Sequence, residues 1–188
     1  MVRNLNRGDS VALDACVLAP MPLCDTLLRC AEEYALFRPQ WSAETLVEVR
    51  RTLKKFGRSA SQIERRMQFM QTYFPDARVR VLPSRLEGVP EIPDLGDRHV
   101  VAAAMQANAR AIVTFNLRHF PGHALEPLGI AIYSPDEFLV ELFRRNPDEI
   151  VNVLDQQAKA IGQSRSSVLE RFKAGLPEFV ALAGERPG

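Results

Sequence analysis

The sequence is short of cysteine, of charge of one sign and of long apolar runs, and each lack excludes something. Its three cysteines, Cys16, Cys24 and Cys30, are an odd number with no Cys-x-x-Cys pair. A disulfide framework and a four-cysteine zinc site are therefore out, and a reducing compartment is the expectation. Lys plus Arg number 24 and Asp plus Glu 23. Such a chain is no polycation, so any nucleic-acid binding has to come from a local patch. The N-terminal apolar stretch from Val11 to Leu23 is broken by Asp14, Pro20 and Pro22, too short and interrupted for a secretory core or a bilayer span. No repeat or low-complexity tract is visible. The expectation is a soluble cytoplasmic protein with no membrane partner.

What is present describes an ordinary globular chain. Its 188 residues are 46% hydrophobic and 25% charged, which is inconsistent with a disordered or fibrous protein and sufficient for a core without staples. The near-neutral total hides an asymmetry: residues 50–66 carry seven basic side chains and one acidic one.

Ser10 to Ala15 reads as a short buried strand with Asp14 near its end. Pro22 to Phe37 reads as a helix with Leu23, Leu27, Leu28, Ala31 and Ala35 on one stripe. Ser42 is placed to cap a helix that buries Leu46, Val49, Leu53 and Phe56 and stops at Gly57. Further helices are expected from about Ser61 to Tyr73 and, rich in alanine, from Asp94 to Asn108. Val79–Leu82, Ala111–Phe115 and Ile130–Tyr133 read as strands. A helix then starts at Ser134-Pro135-Asp136. This order of short apolar strands and helices predicts an α/β domain built on a parallel sheet. Asn146-Pro147 marks a break, giving a domain over 1–146 and a helical C-terminal extension over 147–188.

Parallel α/β sheets carry their sites at the carboxyl ends of strands, and the acidic residues follow that rule. A carboxylate inside an apolar strand, as at Asp14, costs several kcal/mol unless it is paired or bound to a metal. Asp94 and Asp97 precede a strand by one helix; read singly, they are helix caps, with Asp97 as N3 to an Asp94 cap. Glu48 lies beside the apolar stripe of its helix and read singly is a solvated residue. Asn116, just past a strand, reads singly as a turn residue. Together, carboxylates that converge without matching cations repel, and a hard divalent ion such as Mg²⁺ or Mn²⁺ resolves that repulsion. Such a site suits phosphodiester hydrolysis. Arg51, Lys54, Lys55 and Arg58 share one helix face by spacing, which suits a phosphate backbone and equally a solvated face. His119 and His123 have zinc-like spacing, but Pro121-Gly122 forbids a helix between them. Cys16, two residues beyond Asp14, falls on the same strand face if the strand persists, and reads as a small buried hydrophobe.

At this point the motifs resemble a known family. LDACVLAP with Asp14, WSAETLVEVRRTL with Glu48, PDLGDRHVVAAA with Asp94 and Asp97, and IVTFNLRHFP with Asn116 occur in the order of PIN-domain proteins. The chain is similar to VapC-type toxins of toxin–antitoxin pairs over about residues 10–140, and its tail to a subgroup with a C-terminal helical extension. The resemblance implies a three-layer fold with a central parallel sheet. It implies a Mg²⁺- or Mn²⁺-dependent endoribonuclease, acting as a toxin by in-line attack of water that leaves 5′-phosphate and 3′-hydroxyl ends. It implies an RNA substrate, a cognate antitoxin and a homodimer. Asp14, Glu48 and Asp97 match three acidic positions of the family, Asn116 stands where many members have Asp, and His119 stands where near relatives have an acid. The metal set is then Asp14, Glu48, Asp97, Asn116 and Asp94, with Thr114 orienting ligands and Arg51, Lys54 and Lys55 contacting phosphates. The Asn116 and His119 departures motivate the alternative of a PIN-fold module that binds RNA or a protein without cutting. A phosphotransfer enzyme or receiver is disfavoured, because Cys16 stands where a haloacid-dehalogenase pattern needs Asp.

Overall fold

Ser10–Leu13 (β1) is apolar after its serine, and all four residues are buried, as a strand covered on both faces requires. It lies at the centre of a four-stranded, wholly parallel sheet with Arg38–Gln40 (β2), Ala111–Val113 (β3) and Ala131–Tyr133 (β4) in the order β2-β1-β3-β4. The chain leaves β1 to one side for β2 and returns on the other for β3. The crevice between the carboxyl ends of β1 and β3 is therefore the topological switch point. The structure, a computed structural model, describes residues 5–186; the ends of the two expected units, 1–4 and 187–188, lie outside the described residues.

Alternation along the strands assigns the two layers. Val11, Leu13, Ala111, Val113 and Tyr133 face a cluster built from Leu23–Glu32 (α2), Ala43–Lys55 (α3), Ala60–Tyr73 (α4), Pro135–Arg145 (α8) and Pro147–Ala160 (α9). Ala12, Ile112 and Ile132 face a smaller cluster with Arg98–Gln106 (α6) and Gly122–Leu125 (α7). The short helices Ala15–Leu18 (α1) and Pro83–Glu87 (α5) complete the domain, and Arg165–Glu170 (α10) and Pro177–Gly184 (α11) complete the tail.

The three-layer α/β fold with a parallel sheet and C-terminal helices is as expected; several elements differ. Val79–Leu82 forms no strand. Arg78 bridges Trp41 in parallel and Val79 N–H donates to Trp41 C=O at 2.8 Å, but the pairing goes no further than this single bridge. The strand that was not expected, Arg38-Pro39-Gln40, carries no apolar run, and Pro39 is tolerated because the strand lies at the sheet edge. The helix expected to reach Phe37 ends at Glu32, and Ala35 turns the chain with φ 48°. Ser42 caps α3 by accepting from Thr45 N–H at 3.0 Å. That helix stops at Lys55, and Gly57 (φ 74°) places Arg58 off its face. Cys16 lies in α1, not on an extended β1.

The tail continues the main core. Gln157 of α9, buried, accepts from the buried Thr26 hydroxyl of α2 at 2.7 Å and donates to Pro22 C=O at 2.9 Å. Asp136 of α8 caps α11 by accepting from Phe179 N–H at 2.8 Å and Glu178 N–H at 3.1 Å. Phe179 is fully buried against Phe143 and Phe172.

Candidate metal centre

Asp14 leaves β1 in an extended conformation, its N–H bonded to Val113 C=O at 3.2 Å. Its buried side chain sits in the switch-point crevice, where the Thr114 hydroxyl donates to Oδ2 at 2.6 Å. Thr114 Oγ1 also accepts the N–H of Asn116 at 2.9 Å. One buried hydroxyl thus fixes both the carboxylate of β1 and the turn that carries Asn116. Cys16 adds its thiol to the same Asp14 oxygen at 3.1 Å. Burial, followed by the charge of Asp14, pushes that thiol up to about 12, so Cys16 is an inert donor and not a nucleophile.

Asp94 and Asp97 enter from the other side, and not as the capping box expected of them. A 3-10 turn over Leu95–Asp97 precedes α6, and Asp94 caps that turn by accepting from Gly96 N–H at 2.8 Å. Asp97 occupies the N-cap position of α6 without bonding its backbone. Its carboxylate is free to meet His119, Nδ1 to Oδ2 at 2.7 Å, and His119 lies 3.5 Å from Asp94 Oδ2. Asp94, Asp97 and His119 present ligand atoms all within 4.8 Å of one another. Burial raises the Asp97 carboxyl above its ordinary value; the His119 hydrogen bond opposes this, and the charges of Asp14 and Asp94 raise it further. Asp14, Asp94 and Asp97 therefore share one electrostatic site.

Glu48 reaches this region through a residue that the sequence reading did not single out. His99, one turn into α6, has Nε2 at 3.2 Å from Glu48 Oε1 and Nδ1 at 2.9 Å from the buried Ser42 hydroxyl. Burial opposes the imidazolium, but the Glu48 hydrogen bond, with the charges of Glu48, Glu44 and Asp14, prevails and holds His99 above its ordinary value. No signal in the sequence marked it, because its contacts lie 51 and 57 residues away. The basic residues stand apart from the acids. Arg51, Lys54 and Lys55 are exposed on α3, three to seven residues past Glu48 and so ~5 to ~10 Å along the axis. The neighbouring Arg50 is taken by Glu64 at 2.7 Å.

The donor set fits a hard divalent ion. Carboxylates crowd together, and among the described residues their ion-pair partners are imidazoles, not lysine or arginine. Asp14 and Asp97 supply buried or half-buried oxygens, Asp94 an exposed one and His119 a nitrogen.

Comparison with known proteins gives two matches. Residues 10–118 match a family model described as the PIN domain. A 45-residue stretch is 53% identical to a protein of Mycobacterium tuberculosis (strain ATCC 25618 / H37Rv) named "Putative ribonuclease VapC50". The stretch covers 24% of this chain and 27% of that relative, so the match spans about a quarter of its length. No solved structure matches.

Proposed function

Because the chain belongs to the PIN-domain family, we propose that it is a Mg²⁺- or Mn²⁺-dependent endoribonuclease of the VapC type, the toxin of a toxin–antitoxin pair. The observation that carries this reading is the cluster of Asp94, Asp97 and His119, whose ligand atoms lie within 4.8 Å of one another and whose Asp97 carboxyl is raised by burial and by the charges of Asp14 and Asp94. When bound there, the divalent ion would supply positive charge to the phosphate and acidify a water. Asp14, Asp97 and Asp94 would hold it, with Asn116 and His119 beside them.

The chain's own groups do the positioning. Thr114 holds the Asp14 carboxylate still. His99 holds Glu48, whose free oxygen is available to orient a water. Arg51, Lys54 and Lys55 extend the site along α3 as contacts for an RNA backbone. Residues 1–146 are the nuclease unit in this reading and 147–188 an extension. A cytoplasmic homodimer held in check by an antitoxin is the expected cellular form.

The test is cleavage of an end-labelled RNA pool by the purified protein with Mn²⁺, Mg²⁺ or EDTA, beside Asp14→Asn. Discrete fragments that need metal and vanish in the variant are expected; metal-independent cleavage, or an unaffected variant, overturns the reading. One observation favours a second reading, a PIN-fold module that binds RNA or a protein without cutting. Asn116 and His119 bring no negative charge, and His119 occupies an Asp97 oxygen. Calorimetry with Mn²⁺ separates the two, since a dead site takes up no metal through Asp14 and Asp97.

A further inference from the structure

Three large apolar side chains are exposed within three residues of the site's acids and hydroxyl: Leu95 at 74%, Phe115 at 44% and Leu117 at 42%. Phe115 is the best held of them. It follows Thr114 directly, and its N–H donates to Cys16 Sγ at 3.2 Å, the sulfur that also donates to Asp14. Its backbone is thus tied to the acidic centre while its ring stays half open to solvent. The ring is also met by the tail. A Cβ built on Gly175, in the turn between α10 and α11, would stand 3.7 and 3.8 Å from two atoms of the phenyl edge. Glycine leaves that side of the ring uncrowded. Arg171 and Lys173, in the same turn, are exposed; Glu170 pairs Lys173 at 2.5 Å, so Arg171 is the cation that the turn offers a polyanion.

We propose that Phe115, flanked by the Gly175 turn of the C-terminal extension, is a stacking platform for an unpaired nucleobase next to the scissile phosphate. This rests on the ribonuclease reading and adds to it a positioning residue, one that holds the base beside the bond to be cut. An aromatic face accepts any base, because stacking needs only a π-surface. Arg171 meets a phosphate on the tail side. The extension is then part of the substrate cleft and not only a prop for the core.

The test uses the full chain and a short unstructured RNA oligonucleotide, beside the same backbone with abasic sites. In an Asp14→Asn background, Phe115→Trp places an exposed indole where the native Trp41, the single tryptophan, is buried. Its fluorescence should be quenched by the base-bearing RNA and not by the abasic one. Phe115→Ala should weaken RNA binding and raise KM about tenfold, with kcat little changed, and Phe115→Tyr should restore both. If RNA binds Phe115→Ala as tightly as the unaltered ring, or Phe115→Tyr fails like alanine, the platform is overturned while metal-dependent cleavage still supports the nuclease. Loss of association with a protein partner at unchanged RNA affinity overturns it too, and makes the apolar rim a protein-docking surface. Failure of every form to bind or cut RNA overturns the ribonuclease reading itself.

Discussion

Thr114 and His99 hold the two ends of the acidic centre, and both act through another residue. The Thr114 hydroxyl donates to a buried carboxylate at 2.6 Å, a charge-assisted bond worth about 1.5–3 kcal/mol. Thr114→Val keeps the shape and removes that donor, so metal-dependent cleavage should fall roughly tenfold or more, and urea unfolding should show a loss of stability of the same order. His99 differs because it touches Glu48 and Ser42 and neither backbone. In His99→Leu, kcat should drop while KM for RNA stays constant; His99→Gln, whose amide can still reach Glu48, should retain more activity. An equal loss in both, with KM raised, would mean that His99 merely packs. The raised Asp97 carboxyl gives a pH dependence with a definite sign. The native chain holds that proton to higher pH than the unfolded chain does, so this group's stabilisation is complete below the ordinary Asp value and lost as pH rises through the folded one. Metal must displace the same proton. Mn²⁺ should therefore raise Tm more near neutrality than at mildly acidic pH, as thermal melts with and without EDTA would show.

At the scale of elements, caps and strand ends set where each group can point. Ser134 opens α8 with a reciprocal capping box to Glu137, and two residues later Asp136 caps α11. Asp136→Ala should cost about 1 kcal/mol, a fall in Tm of ~2–4 °C for a domain of this size, with RNA cleavage otherwise intact at low temperature. These caps explain what the sequence revealed. Ser42 and Ser134 announce their helices because a hydroxyl before an amphipathic run has one local use. β1 is legible because SVAL is apolar after its serine, and Asp14 stands out against it. β2 is not legible, since Arg38-Pro39-Gln40 earns its strand only by lying beside β1. Val79–Leu82 misleads for the opposite reason: its composition suits a strand, but its contact with Trp41 stops at the N–H of Val79. The acids Asp14, Asp94, Asp97 and Glu48 were visible as types in order. Their real partners, His99 and His119, come from other elements and could not be read from spacing.

Over the whole molecule, the sheet with its helices and the C-terminal helices share one hydrophobic cluster that includes Val11 of β1 and Ala183 of α11. The buried Thr26–Gln157 pair spans 131 residues, and the side chain of Arg7 donates to Asn146 and Glu149 across more than 130. Ending the chain at Asn146 would strip Phe179 from Phe143 and leave the Thr26 hydroxyl only the Pro22 carbonyl, 3.4 Å away. Such a truncation should be insoluble or lack a cooperative thermal transition; a well-folded truncated monomer would show that the tail is an appendage.

The same shared core has a consequence in time. Synthesis delivers Asp14 first and the α11 residues that seal the cluster last. Until α11 has emerged, a chain under synthesis has an open core and a Phe115 that has not met Gly175. The acids at the strand ends are thus made long before the residues that close the core beneath them.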